Sequence, residues 1–525
     1  MASTGTTEPS SGAGTEAARS FAGDAALLAG LAAFKLGLHF LASHNYGYFI
    51  DELYFLACAE RLDWAYVDQP PLVVVVAAAS RGLLGDSLFA LRFFPALAGA
   101  ALVFLTGWLA REFGGGRFAQ AVAALSVIIL PVFLFTHSVL TMNAFEPLWW
   151  TACAYVVARI LRTGNQKLWL LVGLLAGIGL QTKISMLIFG AALTIGVLLT
   201  DARKHLRGPW VWAGGALAAL MFLPWAVWQA QHGWPQIELL RNATGMGKNV
   251  PFSMGGYFFG QLLVAHPLNV PLVFSGLWFF FSAKGSQFRA VGWAFLVLVA
   301  LMLAMKAKIY YQAPAYPMVL AGGAVALGGW TAHQAQRWLR KAMIALVLAG
   351  GTVTAPASLP ILPIEAFLRY DAALGLGSAV KLETGKIGKR LPQLYADMFG
   401  WEELTALIAR VYHSLPPEER AKAAIFGSHY GEAGAVDFFG PRYGLPKAIG
   451  GHNNYWLWGP RDYSGEIVIT VGIKARDLEG LFEQIESAAV FEHPYASNET
   501  GAPILICRRM KMPLREAWPK VKKYI

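Results

Sequence analysis

Asp51 and Glu52 stand side by side in the stretch YGYFIDELYF (46–55), and a third carboxylate, Asp68, opens the run DQPPL (68–72) followed by Gln69. Farther along come Asn143 and Glu146 within SVLTMNAFEPLWW (138–150), Lys183 within GLQTKISML (179–187), Lys306, and then Lys308, Tyr310 and Tyr311 within KIYYQAPAYP (308–317). Carboxylates exchange protons with hydroxyl groups, and ammonium and phenol groups meet negative charge as it develops. Each of these residues lies beside a long apolar run, where a charge is expensive and commonly functional. The plainer alternative for a single lysine is that it snorkels to the interface and anchors a helix end.

The surrounding chain is built for lipid. Of its 525 residues 56% are hydrophobic and 14% charged, and the mean hydropathy is +0.46, well above that of a soluble protein of this length. Up to Ala355 there are 23 Lys and Arg against 13 Asp and Glu, whereas the remainder holds 20 against 19. These cations fall in short loops between apolar runs instead of forming one patch, which argues against a nucleic-acid partner. Cys58, Cys153 and Cys507 show neither metal nor redox spacing and read as small apolar packers. No Walker A sequence, GxGxxG fingerprint or internal repeat is present, so ATP-driven transport has no support.

Eleven apolar segments approach the length of a membrane span, near 22–43, 88–110, 118–136, 143–161, 168–180, 185–200, 210–230, 257–281, 290–304, 309–329 and 341–356. Residues 1–21 lack the basic start of a signal peptide and read as a disordered cytoplasmic leader. With the N-terminus inside, the inner loops hold 14 Lys and Arg in 64 residues and the outer ones 7 in 83, the asymmetry of the positive-inside rule. Asp51, Glu52, Asp68, Asn143, Lys183, Lys306 and Lys308 then all fall on the outer side. The outer loop 44–86 predicts a helix from Asp51 to Arg61 lying in the interface, because Leu53, Tyr54, Leu56 and Ala57 recur at helical spacing. After Pro70 and Pro71 a second run, Leu72 to Ala79, is too short to cross. Residues 357–525 read as a small outer α/β domain, with amphipathic stretches near 401–413 and 477–487 and β-rich runs at 423–429, 466–473 and 502–509. Its segment 427–460, dense in Gly, His, Asn and Trp, suits carbohydrate contact or a tightly turned loop.

The five motifs above, in this order, resemble those of family 39 and related family 83 glycosyltransferases, the bacterial relatives of protein O-mannosyltransferases and of the lipid A aminoarabinose transferase. The resemblance covers roughly 40–330 and extends through GEAGAVDFFG and GGHNNYWLWGP into the outer domain. It implies a membrane all-α GT-C bundle of about 11 to 13 spans (22–356) with a C-terminal periplasmic α/β domain (357–525). It also implies a sugar donor carried on polyprenyl phosphate. Asp51 would be the base that deprotonates the acceptor hydroxyl in an inverting transfer, with Glu52 the second candidate or a charge that orients the helix. Lys306, Lys308, Tyr310, Tyr311, Tyr54 and Lys183 would meet the donor phosphate. For Tyr310 and Tyr311 an interfacial aromatic belt is the rival reading. Asp68, Gln69, Asn143 and Glu146 would line the substrate pocket.

Two departures stand out. Asn143 occupies what many relatives fill with a second acidic residue, and Gln69 replaces the lysine of the aminoarabinose transferase. Both weigh against a bound divalent cation and against aminoarabinose as the sugar. The sequence thus predicts an integral glycosyltransferase of the bacterial inner membrane, acting at the periplasmic face in envelope glycan, glycolipid or lipopolysaccharide synthesis on a glycan, lipid or protein acceptor. Rival readings are a transporter or flippase of lipid-linked sugars, which should show paired halves with interrupted helices, and a non-catalytic scaffold, which would not need the acidic pair.

Overall fold

The computed structural model describes residues 11–245, 251–375, 390–496 and 500–525, with side chains in the first helix from Phe21 onward. The expected leader therefore lies outside the described residues over 1–10, as does part of the outer loop at 246–250. Helix α1 (Ser11–Ala42) starts ahead of the expected position 22.

The bundle then runs through α2 (Ile50–Ala59), α3 (Leu72–Leu84), α4 (Leu88–Glu112), α5 (Arg117–Ile128), α6 (Pro131–Thr136) and α7 (Glu146–Thr163). It continues with α8 (Trp169–Thr182), α9 (Met186–Leu198), α10 (Pro209–Gln231), α11 (Pro235–Gly245), α12 (Met254–Ala265) and α13 (Val270–Phe281). Helices α14 (Arg289–Ala304), α15 (Tyr316–Trp330) and α16 (Arg337–Ser358) complete it. Helical structure occupies all eleven expected segments. Among the described residues, five helices are long and apolar enough to cross a membrane: Phe21–Ala42, Leu88–Glu112, Pro209–Gln231, Ser286–Ala304 and Gln334–Ser358. A sixth follows if Met254–Ala265 and Pro267–Phe281, bent by 93°, form one broken span.

The breaks have local causes. The run 118–136 divides at Pro131, whose missing N–H and ring prevent one continuous helix. Freed carbonyls inside an apolar bundle need partners, and the buried Lys35 Nζ donates to Phe133 O (3.3 Å) and Ile128 O (3.5 Å). The run 257–281 turns at His266, held at φ 69°, just before Pro267. Asn269 Nδ2 ties that corner to Ser126 O (3.0 Å) and Ala265 O (2.9 Å).

Beyond the bundle come α17 (Ile364–Leu374), α18 (Gln393–Ala396), α19 (Trp401–Ser414), α20 (Pro417–Arg420) and α21 (Tyr430–Phe439). They accompany a five-stranded sheet in the order β2-β1-β3-β5-β4. Strand β1 (Ala423–Gly427) pairs in parallel with β2 (Ile449–Gly450) and β3 (Ile467–Val471), while β5 (Ala502–Met510) runs antiparallel to both β3 and β4 (Phe482–Phe491). The three β-rich runs and the helix near 401–413 emerge as expected. The amphipathic stretch near 477–487 instead enters β4, because pairing with β5 satisfies its backbone and leaves the edge strand's polar side chains in solvent.

One expectation about α2 is corrected. Leu53, Tyr54, Phe55 and Leu56 are at most 3% exposed, sharing a core with Trp401, Ile408 and Val436 of the C-terminal domain. Burying such side chains is worth about 1.5–3 kcal/mol each, which holds α2 under the domain and not flat in a lipid interface.

Candidate active site

Helix α2 begins without a side-chain cap from Phe49, and Glu52 supplies the missing acceptor: the Phe49 amide donates to its Oε2 (2.8 Å). Arg92 of α4 donates Nε to Glu52 Oε1 (3.1 Å) and Nη2 to Oε2 (3.0 Å), and the Leu140 amide reaches Oε1 (2.9 Å). The two side chains are 0% and 1% exposed. Arg92 also donates to the carbonyls of Ser43 (3.2 Å) and Gly47 (2.7 Å). Glu52, expected as the second catalytic candidate, is therefore the buried anion that fixes the start of α2, because every direction of approach to it is filled by a donor.

Asp51, its neighbour, lies on the other side of that first turn and is only partly buried. Tyr430 Oη, at the start of α21, donates to Asp51 Oδ1 (2.7 Å). The Tyr430 ring stacks on Tyr54, with centroids 4.6 Å apart, and on His452 at 4.7 Å. Tyr54 Oη donates to Asp68 Oδ1 (2.9 Å) and lies 3.0 Å from Asn454 Oδ1, which also receives the Val67 amide (2.8 Å). Burial, reinforced by the Asp68 charge, pushes the Tyr54 phenol well above its ordinary pKa, so it stays a donor. Gln236 Nε2 holds the Asp68 carbonyl (3.2 Å).

This contact between α2 and α21 depends on small residues. A Cβ on Gly434 would lie 3.0 Å from the Leu53 backbone, and one on Gly431 2.5 Å from the Ile50 side chain. Gly434→Val should therefore push the helices apart, lower stability by about 1–3 kcal/mol as overpacking does, and reduce activity by displacing Tyr430 from Asp51. A thermal melt that matches the parent protein would show that the helices do not need this approach.

A second cluster gathers three of the motifs. Lys183 Nζ, just past α8, donates to Asn143 Oδ1 (2.8 Å) and to Glu146 Oε2 (3.0 Å), and Ser185 Oγ donates to Glu146 Oε1. The same ammonium lies 4.6 Å from the centre of the Tyr311 ring and 6.0 Å from that of Tyr310, a cation–π arrangement. Lys183 is thus matched by a carboxylate. The two clusters share one end of the bundle: Glu52 grips Leu140, three residues before Asn143.

Lys306 is exposed at a tight turn (φ 50°), and Lys308 is partly buried at the head of the 3₁₀ turn Ile309–Ala315 that leads into α15. The side chains of Gln69 and Gln312 are 0% and 2% exposed, yet neither amide has a hydrogen-bond partner among the described residues. Among those residues no group of three or more His, Cys, Asp and Glu is placed to hold a metal ion.

Sequence reasoning missed Arg92, Ser185, Gln312, Tyr430 and Asn454. For Tyr430 and Asn454 a signal existed, since both lie in the Gly-, His- and Asn-rich segment 427–460. Arg92 sat in the chain as an unremarked cation inside an apolar run.

Residues 68–228 match a family model described as dolichyl-phosphate-mannose-protein mannosyltransferase. The chain as a whole resembles ArnT from Cupriavidus metallidurans bound to undecaprenyl phosphate, with TM-score 0.60 and 13% identity over 90% of this chain and 97% of that one. The apo state of the same protein gives TM-score 0.57 and 13% identity over 92% and 97%. The chain shares the GT-C fold of that structure. No curated protein sequence matches it. In this GT-C bundle the matched span begins at Asp68 and includes Asn143, Glu146 and Lys183, so three of the five motifs lie within it.

Proposed function

We propose that the protein transfers a sugar from a polyprenyl phosphate donor to an acceptor hydroxyl at the periplasmic face of a bacterial inner membrane, with inversion and with Asp51 as general base. The observation that carries this reading is the division of labour between adjacent carboxylates. Glu52 is locked in a buried ion pair, while Asp51, on the same turn, is only half-buried and accepts from Tyr430 Oη. The family match and the relative solved with undecaprenyl phosphate support the choice of donor.

In the step itself the acceptor oxygen attacks the anomeric carbon, Asp51 takes its proton, and the bond from that carbon to the phosphate oxygen breaks. The lipid phosphate leaves with an added negative charge, which Lys306 and Lys308 stabilise. Lys183, neutralised by Glu146, instead holds Tyr310 and Tyr311 in place. Asp68 orients Tyr54, and the unpaired amides of Gln69 and Gln312 offer hydrogen bonds to sugar hydroxyls, whose loss on binding the wrong sugar would leave buried polar groups unsatisfied. The domain boundaries, a bundle over 22–356 and a periplasmic domain over 357–525, belong to the same proposal.

The test is to reconstitute the protein in vesicles with a labelled polyprenyl phosphate sugar and a cell-envelope extract. Label that moves covalently to an acceptor supports transfer; label that crosses the bilayer still attached to its lipid supports a flippase and overturns the proposal. In the same assay Lys306→Ala and Lys308→Ala should each lower kcat and donor affinity, by about 2–4 kcal/mol in total for a lost charge-stabilising donor. Unchanged turnover in both single variants and in the double variant would reduce these lysines to helix anchors.

A further inference from the structure

The end of the bundle opposite Asp51 carries a cavity of about 610 Å³ that the transfer reaction does not use. Three inner loops converge on it. Gly114, Gly115 and Arg117 come from the α4–α5 turn, Lys284 follows α13, and Arg340 lies in the first turns of α16. No lining residue is acidic. Of the lining cations, Arg117 pairs with Asp24 at 3.7 Å, a carboxylate that Arg111 also engages at 3.2 Å. Arg340 donates to Thr331 Oγ1 (3.0 Å) and Gly328 O (2.9 Å) and lies 4.8 Å from the centre of the Phe118 ring, so its guanidinium is held at the cavity wall. Lys284 is exposed and has no ion-pair partner among the described residues.

The rest of the wall is apolar. Trp278 and Trp330 face one another at 4.8 Å, 48% and 43% exposed, as indoles do at the headgroup level of a bilayer. Phe279, Val325 and Ala326 continue the surface inward. Cations from three separate segments, an aromatic rim and an apolar floor make a combination that recognises a phosphate carried on acyl chains. A soluble anion would need the cations but not the floor.

We propose that this cavity binds the phosphate of an anionic phospholipid from the leaflet on the side opposite the active site. The inference rests on the chain spanning the membrane and is independent of which reaction it performs. Binding there ties α4, α5, α13, α15 and α16 together at the end of the bundle away from the chemistry.

The test uses the full-length protein in neutral detergent, melted while titrated separately with phosphatidylglycerol, phosphatidylcholine and inorganic phosphate. Phosphatidylglycerol should raise Tm in a saturable way, and the other two should not at equal concentration. Lys284→Gln and Arg117→Gln should each weaken the phosphatidylglycerol midpoint about fivefold, the contribution of one cation near a lipid surface, while Lys284→Arg keeps it. Lys306→Ala, at the other end of the bundle, should leave the titration unchanged. An equal shift with phosphatidylcholine, or a full phosphatidylglycerol response in both Gln variants, overturns the site. A response to inorganic phosphate that matches phosphatidylglycerol overturns the lipid assignment and makes the ligand a free anion.

Discussion

Asp51→Asn should lower sugar transfer by at least about two orders of magnitude, as the loss of a general base does, while the protein melts at the temperature of its parent. The substitution keeps the size of the side chain, and the new carbonyl oxygen still accepts the Tyr430 Oη hydrogen bond seen at 2.7 Å. What disappears is the ability to take a proton from the attacking hydroxyl. Donor binding should change little, because the phosphate contacts are assigned to a different segment. The measurement is transfer of labelled sugar alongside a thermal melt. Normal transfer by a folded Asn variant would make Asp51 a structural residue and remove the basis for inversion at this carboxylate.

The second large effect is on folding. Arg92→Met should destabilise the protein by about 3–5 kcal/mol, because it leaves Glu52 charged and unpaired where no water reaches it. That is a large share of the 5–15 kcal/mol typical of a folded domain. The carbonyls of Ser43 and Gly47 lose their donor as well, so the loop entering α2 loosens and Asp51 moves with it. Glu52→Gln in the same chain should recover part of the loss, since it removes the unpaired charge while its one carbonyl oxygen still accepts from either the Phe49 or the Leu140 amide. Melting the two single variants and the double variant gives the coupling between the residues. If Arg92→Met melts like the parent, Glu52 is not charged or not confined, and its reading as the fixed anion fails.

These two expectations concern adjacent residues with opposite consequences, and only one of the two roles was accessible before the fold. A carboxylate pair following the first span announces a site at the bilayer edge. It does not say which carboxylate faces the substrate, because that depends on where Arg92, forty residues later, comes to rest. Lys183 shows the same limit: the loop charges led only to the expectation of an outer position, and its pairing with Glu146 required α7 and α8 to pack side by side.

By itself the sequence determined the class of the protein, since a run of about twenty apolar residues has few places to go but lipid. It also determined the general location of the helices, the α/β character of the tail, and the five segments that carry polar groups. Those properties are local: they depend on composition and periodicity within windows of ten to twenty residues. Tertiary structure alone decided that α2 is buried beneath the C-terminal domain and that Tyr430 and Asn454 join the carboxylates from nearly four hundred residues away. Each of those outcomes rests on long-range contacts, such as Tyr430 with Asp51 or Gly434 against Leu53, whose energy comes from shape and hydrogen bonding between distant segments and leaves no periodic trace in either one.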